Sequence, residues 1–166
     1  VNNEFTLGGS GGPTGIVPSI TVGTTAAGTT AVTVAEIASL PSKVDYGYRS
    51  ADAQPVYMFS DGVEAALKSM VASGSGERMF PEMSEGKLCG YPYVINIDMA
   101  SSLSASGTPI IFGSVKRGVL IHSVTPSVIV SQERFADYGQ VFYSMLHRQG
   151  VVLSDANALT ALKMHA

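Results

Sequence analysis

The residue types that could carry covalent or acid–base chemistry are few and scattered. Cys89 is the single cysteine, so neither an internal disulfide nor a cysteine-based zinc site can form. A thiol nucleophile needs a base beside it, and the chain has three histidines, His122, His147 and His165. Nothing in their spacing brings one to Cys89. The run "LCG" at 88–90 leads into an apolar stretch, where cysteine packs as a small hydrophobe. A small hydrolase using Cys89 with His122 or His147 is the enzymatic alternative. The histidines lack the paired helical spacing of a zinc protease. Asp52, Asp61, Asp98 and Asp155 stand where turns and helix starts favour aspartate, and they form no metal loop. No serine occupies a G-x-S-x-G elbow. The glycines of "LGGSGGPTGIVPSI" (7–20) lack both the lysine-ended phosphate loop and the G-x-G-x-x-G spacing. A turning loop is expected there instead. No catalytic residue, no metal and no cofactor is expected.

The elements that would position side chains read as a mixture. "TVGTTAAGTTAVTV" (21–34) predicts one or two thin strands with a turn near Gly28. Thr33 and Glu36 have capping-box spacing, so a short helix should follow and stop near Leu40, ahead of Pro41. "VYMFSDGVEAALKSM" (56–70) predicts a strand, then a helix capped by Ser60 or Asp61 with Val63, Leu67 and Met70 on one face. Residues 71–87 form a long polar connection rich in Gly and Ser, of the kind that carries function. A turn at Gly90 and a buried strand over 93–97 come next. Residues 107–123 read as strand, tight turn and strand, and 125–131 as extended chain. Residues 138–148 are β-rich. Ser154 is placed to cap a last helix over 155–164, with Ala158, Leu159 and Leu162 apolar. Strands outnumber helices and the two are mixed, which is α+β.

Bulk composition narrows the function. Apolar residues make up 45% and charged residues 14% of the 166, where a quarter charged is usual. Such a chain can build a core but has little charge to spread over its surface, so part of that surface should be covered by another molecule. A net charge of −3 argues against a nucleic-acid-binding surface, and the only adjacent basic pair is Lys116-Arg117. No apolar run is long enough to span a membrane, and no membrane partner is expected. The chain opens on Val1 rather than Met, so an upstream segment, removed or left out, is expected.

Several blocks in order resemble one family. "LCGYPYVINID" (88–98) is similar to an L-x-G-x-P-V-V strand, "PIIFG" (109–113) to an "ILFGD" strand, and "YGQV" (138–141) to a "GQVGF" strand with Phe142 in place of Gly. "VVLSDANALTAL" (151–162) is similar to a closing V-x-x-D-x-A-x-x-x-L. Upstream, "GGSGGPTGI" and "VYMFSDGVEAALKSM" resemble the family's Gly-rich stretch and its "VMNP" strand and helix. The chain therefore resembles the C-terminal portion of tailed-phage major capsid proteins of the Hong Kong 97-type fold.

The resemblance implies a shell protein, with no catalysis and no cofactor. It implies an axial-type domain, a mixed sheet with flanking short helices, and a peripheral-type domain with a long β-hairpin excursion. Residues 1–32 would be a Gly-rich extended segment with strands, linking to a spine helix before Val1. Residues 33–116 with 150–166 would be the axial domain, and 117–149 part of the peripheral domain. Its threefold loop would be 132–138, where Gln132, Glu133, Arg134, Phe135 and Asp137 meet neighbouring subunits. Arg134 would face a neighbour's Glu133 or Asp137. An axial loop would carry Ser75, Glu77, Arg78 and Phe80. Hexamers and pentamers would close an icosahedral shell around DNA that is enclosed but not specifically bound. Scaffold, protease and portal proteins would be partners. The protein would occupy the virion capsid, and the host cytoplasm during assembly. An encapsulin-like nanocompartment shell of the same fold is the alternative. Asp137 falls at or beside the position where some family members carry a crosslinking Asn, so no isopeptide crosslink is expected.

Overall fold

The computed structural model describes residues 2–9, 12, 14–72 and 76–166, with only the backbone of Ala136. Two short helices, α1 (Asn2–Leu7) and α2 (Ile16–Ser19), flank the Gly-rich loop. Residues 1–32 are thus partly helical, where extended chain was expected. One strand follows, β1 (Thr21–Thr25). The capping box forms as its spacing requires: Thr33 accepts from the Glu36 N–H, and Glu36 accepts from the Thr33 N–H at 2.7 Å. It starts α3 (Val34–Ser39), which tightens into a 3₁₀ turn (Leu40–Lys43) around Pro41. After α4 (Tyr46–Arg49), β2 (Val56–Phe59) runs into α5 (Asp61–Ser69), with Ser60 as N-cap. Val63 and Leu67 of α5 are buried, and Met70 packs beside them.

The central sheet has six strands in the order β1–β10–β5–β2–β4–β3. Its further members are β3 (Lys87–Leu88), β4 (Tyr91–Ile95), β5 (Ile110–Gly113) and β10 (Leu159–Lys163). β1/β10 and β2/β4 are parallel; β10/β5, β5/β2 and β4/β3 are antiparallel. Both faces are covered. Tyr57, Phe59, Ile110, Phe112 and Leu162 pack with Ile37, Leu40, Val63, Leu67 and Met83 in the larger cluster. Ile111, Leu159 and Ala161 pack with Ile20 and Met99, supported by Ile16, Val17, Val119 and Leu153. Tyr57 and Phe112 rings lie 4.6 Å apart and Tyr91 and Phe112 rings 5.0 Å apart. The buried Tyr57 hydroxyl donates to the Ile37 carbonyl at 3.2 Å, which removes the cost of burying it unpaired.

Two expectations are corrected here. The last segment is not a helix over 155–164. Residues 156–158 make one 3₁₀ turn, and Leu159–Lys163 is the strand β10 between β1 and β5. Leu159, Thr160, Ala161 and Leu162 are all buried. A strand buried on both faces loses its alternation and mimics one turn of an apolar helix. The strand expected at 93–97 lies instead at Tyr91–Ile95 and is only half covered, because only the two-residue β3 lies beyond it. Tyr91 and Tyr93 pack on the core, while Val94 and Ile95 are exposed.

From the sheet a two-stranded ribbon departs. Its root is α6 (Val115–Gly118), and its strands are β6 (Val119–Ser123), β7 (Ser127–Ser131), β8 (Phe142–Leu146) and β9 (Gln149–Leu153). β6 pairs with β9 and β7 with β8, both antiparallel. Between the two ladders the Val124 N–H donates to the Arg148 carbonyl at 2.9 Å, so they follow one another along the same pair of chain runs. Ser123 opposes Gln149 and Ser127 opposes Leu146, which leaves one extra residue on the outgoing strand. That bulge falls at Thr125-Pro126, and proline, lacking an N–H, fits a bulge better than a ladder position.

Candidate assembly surfaces

The ribbon is built from strand-forming residues, but its own chain covers few of them. Val128 is 62% exposed, Ile129 59%, Tyr143 69% and Met145 65%. Leu120, Val124, Val130, Leu146 and Val152 are exposed as well. Near the root, Val151 is buried and Val119 and Leu153 pack on the smaller core cluster. Beyond the root, the cross-strand pairs Val128/Met145 and Val130/Tyr143 are held only by each other. A two-stranded ribbon is marginal in water by itself, and a contiguous apolar surface of this kind marks a contact made from outside these 166 residues.

Two chain crossings tie the ribbon to the sheet. Ser114 Nα–H donates to the Ala158 carbonyl at 2.9 Å, and Ser154 N–H to the Gly118 carbonyl at 2.8 Å. The buried Ser114 hydroxyl donates to the Ala53 carbonyl and accepts from the Arg117 N–H at 3.2 Å. Arg117 pairs with Asp52 at 2.6 Å. The Tyr48 hydroxyl donates to Asp155, and with the Asn157 N–H it holds that carboxyl below the usual aspartate range. Sequence reading took Asp52 and Asp155 as turn residues. Asp155 does hold its turn through the Asn157 N–H, while the side-chain partners Arg117 and Tyr48 lie 65 and 107 positions away, beyond any local signal.

The apex is a ten-residue loop between the last ladder pair, Ser131 and Phe142. Gln132, Glu133, Arg134, Phe135 and Asp137 are all exposed here. Residues Ala136–Tyr138 make a 3₁₀ turn, and Gly139 reverses the chain at φ +63°. Tyr138 and Gln140 N–H groups both donate to the Phe135 carbonyl, at 3.1 and 3.2 Å. The Arg134 guanidinium sits 4.7 Å from the centre of the Phe142 ring and 5.9 Å from that of Phe135. The two rings are 5.9 Å apart.

The second expected surface is a small hairpin. Ala72 N–H donates to the Glu77 carbonyl at 2.8 Å and Met79 N–H to the Met70 carbonyl at 3.0 Å, with Val71 opposite Arg78. Glu77 and Arg78 are exposed. Phe80 is not: it is buried in the larger core cluster and anchors the hairpin. Ser75 lies outside the described residues.

Cys89 sits at φ +49° in the β3–β4 turn, half-buried against the larger cluster. Burial, then nearby Glu82, pushes its thiol pKa up, which disfavours the thiolate a nucleophile needs. His122 and His147 lie on the ribbon instead. His147 bonds Ser123 Oγ at 3.0 Å, and His122 opposes Gly150.

The model of the phage capsid family matches residues 1–164. The chain belongs to the phage capsid family. Solved structures agree on the fold of this capsid-family chain. The capsids of an empty and of a native GTA particle, both computed with C5 symmetry, match at TM-score 0.77 and 20% identity. In each case 99% of this chain and 60% of that chain are covered. A chain of Gordonia phage Cozz matches at TM-score 0.63 and 15% identity, covering 99% of this chain and 58% of that one. This capsid-family chain therefore spans about 60% of the length of the structures it matches. No curated protein sequence matches it. The expected α+β capsid fold is the fold observed, a mixed sheet with short helices.

Proposed function

We propose that the protein is the major capsid subunit of a tailed phage or prophage, and that it acts by self-assembly rather than catalysis. The observation that carries this reading is the ribbon: a ladder from Val119 to Leu153 whose apolar side chains stand in water in the single chain. Its family membership supplies the context in which such a surface is covered by copies of itself. Residues 33–116 with 150–166 form the part that packs around ring axes, and 117–149 belong to the peripheral part. The apex, 132–138, meets neighbours at local threefold axes. The hairpin around Glu77 and Arg78 lines the ring axis.

Hexamers and pentamers would then close an icosahedral shell around DNA, assembled in the host cytoplasm with scaffold, protease and portal proteins. A mildly acidic subunit suits an inner wall that must not grip its DNA. The subunits are held without covalent crosslinks through Asp137. Sedimentation velocity on the natural protein, with electron microscopy of any fast species, tests the reading. Ring-shaped capsomers or closed shells are the expected result, and packaged DNA separates a virus head from a nanocompartment. A monomer at every concentration, salt and pH overturns it.

A further inference from the structure

The apex carries three exposed charges, and among the described residues none of them forms an ion pair within its own chain. Two are carboxylates, Glu133 and Asp137, and one is the guanidinium of Arg134. The arginine is nonetheless not loose. Its planar head lies over the Phe142 ring at 4.7 Å and beside Phe135 at 5.9 Å, within reach of the attraction between a cation and the ring face. A cation over a ring spends no N–H group on a hydrogen bond there, so the guanidinium donors remain for a carboxylate, which they match in bidentate geometry. Holding it in advance also reduces the side-chain entropy lost on contact.

We propose that Phe142 and Phe135 are positioning residues that preset Arg134 as a donor for a carboxylate, Glu133 or Asp137, on a second copy of this chain. The occupant follows from charge complementarity: the apex carries both halves of the pair, and a rotation axis sets one copy's cation against the next copy's anion. This inference rests on the shell reading above.

Sedimentation velocity on the natural protein and its variants tests both, and separates them. Arg134→Glu and the double variant Glu133→Arg with Asp137→Arg should each lose association. Joining all three substitutions in one chain should restore it, which a purely structural role for the apex would not produce. Phe142→Leu keeps apolar bulk and removes the ring. Arg134→Lys keeps charge and removes the plane. Each should weaken association by about fivefold per contact. Assembly of Arg134→Glu at wild-type strength, or failure of the triple variant to recover, overturns the clamp and leaves the shell reading standing. A wild-type protein that never associates overturns both.

Discussion

At the scale of single residues, the junction between sheet and ribbon is the most constrained place in the molecule. Gly113 has φ +143°, and a Cβ there would sit 2.2 Å from the Ala158 carbonyl oxygen. Only glycine adopts that backbone readily, and the contact is with main chain that cannot rotate away. Gly113→Ala should destabilise the folded chain by about 2–3 kcal/mol, read as a lower urea midpoint with unchanged slope. Tyr48 and Asp155 form the second constraint. Hydrogen bonding lowers the Asp155 pKa in the folded chain, so its stabilisation is full above the unfolded pKa. It is lost as pH falls through the folded value. Tyr48→Phe should therefore be less stable than wild type near neutral pH. The gap should close once pH falls below the aspartate range, as urea titrations at both ends of that window would measure. An equal gap at both pH values would mean that Tyr48 acts through packing alone.

At the scale of elements, two kinds of strand share one composition and differ in what covers them. β10 is buried on both faces, and Leu162 is fully enclosed. Leu162→Ala should cost about 2–5 kcal/mol, because the sheet around it cannot collapse onto the space. β7 and β8 carry equally apolar residues that are mostly in water. Val128→Thr with Tyr143→Ser should change the stability of the single chain by no more than about 0.5 kcal/mol while lowering the yield of assembled particles. Thermal melts of the unassembled chain and particle counts by electron microscopy separate the two effects. A large loss of monomer stability would show that the ribbon belongs to the folding unit rather than to the interface.

At the scale of the whole molecule, a two-faced domain carries an uncovered arm. Only the root of the ribbon, through Val119 and Leu153, helps cover the domain's sheet. Beyond its root the ribbon gains its cover from outside these 166 residues, and the sparse charge of the chain is the compositional trace of that arrangement. The apex and the returning strand offer exposed arginines, Arg134 and Arg148. Trypsin should cut the unassembled chain first at these sites, and the same bonds should be protected in particles. Cleavage at equal rates in both states would mean that the apex faces solvent in the shell.

Local chemistry was legible in the residues themselves. The Thr33–Glu36 box, the Ser60 cap, the strand before α5 and the turning glycines after α1 each depend on neighbours within a few positions, and each formed where its spacing placed it. Ordered motifs were enough to indicate the capsid family and its α+β fold. What only the tertiary structure decided depends on partners far along the chain. Burial from both sides made a strand of 159–163, where an apolar run with a cap read as helix. Phe80 entered the core although it stands in a polar stretch. Arg134 took the Phe142 ring, across the apex, rather than standing free. A sequence displays periodicity and caps because these act over one or two turns of chain. It does not display which faces a fold will cover, because that depends on which distant elements come to rest against them.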